Sequence, residues 1–186
     1  MMVNIDERFK VTFCALATQY YVAARLAARA GLIPVHGNLF HHAVEMYMKA
    51  ALVGTLPVAQ MKQKLYSHDL IALWDRFKTK EADPALTRFD PTIQELHPFH
   101  SIRYPDKIVD EGMITTVVWQ AHHATTASGS AKMPPKYEFI ISEVDELVIE
   151  VLQRTSINPK FLLSRVTNAD AREALAYQNP QAARWL

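Results

Sequence analysis

Phe9, Phe13, Leu16, Tyr20, Ala23 and Ala27 recur at alternating intervals of four and three. That period places them on one side of an α-helix. The pattern predicts a first helix over roughly 5–30, with this stripe on one face. The alanine-rich run YVAARLAARA adds intrinsic propensity, and Gly31 and Pro34 supply a stop. A second helix is expected within GNLFHHAVEMYMKAAL (37–52), with Asn38 as its N-cap. Leu39, Ala43, Met46 and Ala50 form one stripe there, and Phe40, Val44, Tyr47 and Ala51 its neighbour. Together they are wide enough for a helix packed on two sides. Glu45 and Lys49, four apart, are placed to pair, and Gly54 and Pro57 close the element.

The stretch TLPVAQMKQKLY reads as a linker. Ser67 as N-cap and Asp69 in the first turn then open a third helix, whose apolar face is Leu70, Leu73, Trp74 and Phe77. Pro84 is suited to open a fourth over about 84–96. From 97 to 141 the helical period fails. MITTVVW (113–119) is rich in β-branched residues, and YEFII (137–141) is its expected hairpin partner across a loop of small residues and proline. Ser142 should cap a periodic helix carrying Val144, Leu147, Val148, Val151 and Leu152. Two short helices, around 161–166 and 169–177, are expected in the tail. The pattern as a whole predicts a mainly α chain: one domain over 1–186, an antiparallel helical bundle with 107–141 as a loop or β-hairpin insertion and 157–186 as a C-terminal helical tail.

Composition agrees with a self-sufficient core, because 49% of the 186 residues are apolar. A net charge of +1 supplies no global field for nucleic acid or an acidic membrane. Cys14 is the single cysteine, so no internal disulfide can form. With a charged start, MMVNIDERFK, and no apolar run of membrane-spanning length, the expected setting is the cytoplasm, without a membrane span.

The candidate chemistry is sparse. On a helix, His41 or His42 can share a target with Glu45. Without an HExxH pattern or a cysteine cluster, these residues read as packing and polar contacts, and no metal or cofactor is expected. His122 and His123 would point to opposite faces of a strand. No GxSxG elbow or glycine-rich phosphate loop is present, and Cys14 lies within an amphipathic helix. No catalytic set is therefore expected. Arg103 and Tyr104, in SIRYPD, offer a guanidinium for phosphate and a ring for stacking a base. The composition alone favours a structural turn with an Arg–Asp contact.

Three stretches in order resemble the HEPN (higher eukaryotes and prokaryotes nucleotide-binding) family: FHHAVEMYMKAALVG at 40–54, HDLIALWDRF at 68–77, and the RYP-containing SIRYPD at 101–106. The resemblance spans about 5–155. It implies an antiparallel helical bundle, often paired as a homodimer, in which the 40–54 helix is chiefly core. Many members are metal-independent ribonucleases or toxins paired with an antitoxin. Their signature is an arginine followed, after four to six residues, by a histidine that moves the ribose hydroxyl proton. Here no arginine after Arg88 has such a histidine, and Arg29–His36 fits the spacing only across Gly31 and Pro34. The resemblance therefore implies a non-catalytic domain that binds a nucleotide or RNA phosphate, or a partner protein such as a nucleotidyltransferase-like one. Lys49, His68, Arg103 and Tyr104 are the expected contacts. The alternatives are a degenerate ribonuclease using His68 or His97 with Arg103, and a homo-oligomer built on the apolar faces of the first two helices.

Overall fold

The structure is a computed structural model describing residues 4–61, 68–102, 104–120 and 136–186. It is mainly helical, with one small two-stranded sheet. Helix α1 runs Ile5–Arg29; the Asn4 side chain accepts from the Asp6 amide at 3.1 Å, and Asp6 and Glu7 occupy the positive end of the helix dipole. Gly31, at φ 68, makes the left-handed turn that ends it.

The apolar stripe read from the sequence is mostly turned away from the core, with only Ala27 buried and Phe13 half-buried against it. Phe9, Leu16, Tyr20 and Ala23 are exposed, whereas Cys14, Ala17, Thr18, Tyr21, Ala24, Arg25 and Ala28 are buried. The reason is steric. The alanine-rich side lets the next helix approach closely, and the larger aromatic and leucine side is turned outward. Helix α2, Val35–Leu52, packs there in the largest interface of the fold. Its contacts run in opposite order along the two helices: Thr18 Oγ1 lies 2.9 Å from the Tyr47 hydroxyl, and Tyr21 meets Phe40 edge to face. α2 begins at Val35, ahead of the predicted Asn38, with Pro34 at the N-cap. Proline donates no N–H and restricts φ, so it suits a helix start.

The linker contains a short helix α3, Val58–Met61. The predicted cap Ser67 lies outside the described residues. Helix α4, Leu70–Glu81, is capped by Asp69, whose carboxylate accepts from the Ala72 amide at 3.0 Å. The single helix expected over 84–96 is two elements, a 3-10 turn Pro84–Phe89 and helix α5, Asp90–Leu96. Pro91 sits in the first turn of α5, where its missing donor costs nothing. Asp90 ties α5 to α4 by accepting from Trp74 Nε1 at 2.6 Å and Lys78 Nζ at 2.8 Å. A second 3-10 turn, His97–His100, follows.

Helix α6, Pro105–Glu111, has no counterpart in the sequence reading. Strands β1, Ile114–Thr115, and β2, Lys136–Tyr137, pair in parallel. This corrects the expected hairpin, since a hairpin joins antiparallel strands. The parallel register sends Phe139 inward beside Phe40 and Phe99. It also delivers the Val118 and Trp119 carbonyls to the Ile141 and Ser142 amides at 2.9 and 3.1 Å. Those bonds replace a side-chain cap, so helix α7, Ile141–Gln153, starts without using Ser142.

Helices α8 (Pro159–Leu163), α9 (Ala169–Ala176) and α10 (Ala182–Trp185) complete the chain. They are part of the core: Trp185 is buried and stacks on Tyr21 at 5.4 Å. Arg25, Asp145 and Tyr21 fasten this side together. The Arg25 guanidinium and the Tyr21 hydroxyl each donate to Asp145 at 2.5 Å, and Arg25 also donates to the Ala174 and Tyr177 carbonyls. Among the described residues, no helix is long and apolar enough to cross a membrane.

Candidate functional site

Glu45 is the centre of the polar end of the bundle. It lies on α2 with no exposed surface. A carboxylate is buried only when neighbours supply opposite charge or hydrogen bonds. Helical spacing supplies three of them, since positions three and four apart share a face. Lys49 Nζ donates to Glu45 Oε1 at 2.5 Å, His42 Nδ1 lies 3.3 Å from Oε2, and His41 Nε2 lies 3.9 Å from the same atom. The fourth neighbour comes from another element. His68, just before the α4 cap, places Nδ1 3.2 Å from Oε2. Burial alone raises the Glu45 pKa, but the contacts from His42, Lys49 and His68 outweigh it and hold the carboxyl at about 2.

Around this carboxylate the histidines form one connected cluster. His42 packs edge to face on His41 and His68 at 5.6 and 5.8 Å, His41 meets His100 at 5.6 Å, and His100 meets His97 at 5.0 Å. Tyr20, on the outward side of α1, covers His42 at 5.5 Å. His41 is fully buried, and burial pushes its pKa down to about 4. Its Nδ1 lies 3.1 Å from the Leu96 carbonyl, which can only accept, so the ring proton is on Nδ1. His97 sits beside the α4 cap, with Nδ1 3.8 Å from Asp69 Oδ1. The cluster opens to solvent at His42, whose side chain is 20% exposed, and at His68, at 40%.

Two of the four residues expected from sequence therefore meet here, Lys49 and His68. Lys49 is almost buried and paired with Glu45, so its charge is already engaged. Tyr104 is exposed at the start of α6. Arg103 lies outside the described residues, as do His122 and His123. The Arg29–His36 pair has separate employments: Arg29 bonds Glu173 at 2.6 Å and covers the Tyr177 ring, while His36 is buried against Phe99 and Phe139. The sequence reading paired Glu45 with His41, His42 and Lys49 along the helix, but missed His100 and the approach of His68. The local clustering of histidines at 97 and 100 was the available signal.

No protein-family model matches the chain, and neither the curated proteins nor the solved structures give a significant match.

Proposed function

We propose that this chain is an HEPN-like helical domain that binds the phosphate of a nucleotide or a short RNA without cleaving it. The observation that carries this reading is the contact between His68 and Glu45. It brings together the two stretches that resemble the family, 40–54 and 68–77, at one solvent-reached polar cluster. As imidazolium ions, the partly exposed rings of His42 and His68 donate Nδ1–H to Glu45 and Nε2–H to a phosphate oxygen, and Lys49 offsets the buried carboxylate that would otherwise repel an anion. Tyr104 offers a ring for a base. The engagement of Arg29 with Glu173, and of His36 with aromatic rings, favours binding over hydrolysis.

Calorimetry and thermal shift with adenine and guanine nucleotides and short RNAs test the proposal. A melting temperature that rises with nucleotide concentration, less so in His68→Ala, is expected, with the RNA recovered intact. No shift at millimolar nucleotide removes the binding reading, and cleavage that His68→Ala abolishes replaces it with the ribonuclease one.

A second reading, self-association, has its own observation. Ile5, Phe9, Leu16 and Tyr20 are all exposed and lie on one side of α1. A second copy packed along this stripe would cover them and reach the edge of the cluster at His42, which Tyr20 touches.

A further inference from the structure

Oε2 of Glu45 is surrounded by nitrogen. His42, His68 and Glu45 each offer one ligand atom, and these atoms all lie within 4.8 Å of one another; the two histidines are partly exposed and Glu45 is buried. Two features of this arrangement fit a shared ion. Charge-assisted N–H to carboxylate bonds run about 2.7–2.9 Å. Lys49 on Oε1 is tighter still at 2.5 Å, yet the two histidines stand back at 3.3 and 3.2 Å. Nitrogen and oxygen ligands about 2.0–2.1 Å from a tetrahedral ion stand about 3.3–3.4 Å apart, a separation that the two His–Glu spacings already match.

The second feature is independent of those distances. Because His41 carries its proton on Nδ1, its Nε2 presents a lone pair. That atom is buried, has no hydrogen-bond partner among the described residues, and lies 3.9 Å from the anionic Oε2. A lone pair left facing a carboxylate in the interior is unfavourable unless a positive centre or its bound water stands between them.

We propose that His42 Nδ1, Glu45 Oε2 and His68 Nδ1 bind a divalent transition-metal ion of the zinc class, with a fourth position open to solvent. Two imidazoles and one carboxylate suit zinc and its neighbours, and three protein ligands with an open position are the pattern of reactive rather than purely structural sites. The supporting groups are in place. Lys49 orients the carboxylate through Oε1, and His41 Nε2 is an acceptor for a proton of metal-bound water. The sequence pattern hides such a site because its third ligand arrives from the lead-in to α4 and not from the α2 helix. The proposal does not rest on the nucleotide reading.

Chelator-stripped protein, without nucleotide, is titrated with Co²⁺ and then Zn²⁺. One equivalent of Co²⁺ should bind with the intense visible absorption of tetrahedral nitrogen and oxygen ligation, and Zn²⁺ should displace it. His42→Gln and His68→Gln should each weaken binding at least ~10-fold. Glutamine keeps an N–H that can donate to the buried Glu45 carboxylate, so the metal-free variants should still fold, as melting and circular dichroism would show. A wild type that binds no stoichiometric ion, or binding that survives both substitutions, overturns the proposal. Should a variant fail to fold, the wild-type Co²⁺ spectrum decides alone.

Discussion

Gly37→Ala separates local helix propensity from the packing around the site. Gly37 lies in the first turn of α2, and helix propensity alone makes alanine more stable there, by up to about 1 kcal/mol. The tertiary structure predicts the opposite sign. A Cβ at Gly37 would fall 2.0 Å from both Cδ1 and Cε1 of Phe99, where real Cβ atoms are not found. The ring would have to retreat by more than an ångström to reach ordinary contact. It has nowhere to go: Phe99 is fully buried, with Phe139, Tyr137 and His36 rings at 5.2, 5.7 and 6.4 Å. Overpacking of this kind costs about 1–3 kcal/mol. With two ring atoms at 2.0 Å the cost belongs to the upper part of that range, about 2–3 kcal/mol, so after a propensity gain of about 1 kcal/mol the net loss is about 1–2 kcal/mol, or roughly 2–8 °C in melting temperature for a chain of this size. Urea denaturation and thermal melting measure it. The double variant with Phe99→Leu should recover part of the loss, because the two sites share one contact. An alanine variant as stable as the wild type, or more so, refutes the packing argument.

Three further outcomes follow from other parts of the molecule. Asp145→Ala should cost about 3–5 kcal/mol in urea denaturation, because it leaves the Arg25 charge buried without its partner; a loss under about 1 kcal/mol would show the pair to be incidental. Burial pushes the Cys14 thiol up to about 12, so near pH 8 only about one molecule in ten thousand carries the thiolate, and a thiol reagent should label it at the rate of unfolding. Prompt labelling in native buffer contradicts that placement. Leu16→Glu puts a charge into the exposed α1 stripe and should convert a dimer to a monomer in light scattering; a wild type already monomeric at about tens of micromolar removes the self-association reading.

Much of the helical framework was legible in the sequence, because period and breakers act locally. α1 and α7 lie close to their predicted limits, and Gly31 ends α1 as expected; Pro84 opens a 3-10 turn where a helix was expected, and Asp69 takes the cap position that the sequence reading gave to Ser67. What failed was everything decided at a distance. Both sides of α1 are apolar enough to be core, and only the close approach of α2 selects the alanine side. The start of α7 is fixed by carbonyls from Val118 and Trp119, which no local cap rule could supply. At the site, the α2 contacts of Glu45 follow from spacing along one helix. The arrival of His68 depends on how α4 is docked, and that is tertiary information.

The central claim is that Glu45 gathers His42 and His68 from two elements while His41 keeps its proton on the far side of its ring. Long-range ¹H–¹⁵N spectra of the imidazole rings, for the wild type and Glu45→Gln near neutral pH, test it most directly. The account predicts a neutral His41 protonated on Nδ1 in both proteins, and Nδ1 signals of His42 and His68 that move together when the carboxylate is replaced by the amide. A His68 ring indifferent to Glu45→Gln, or a His41 protonated on Nε2, would contradict it.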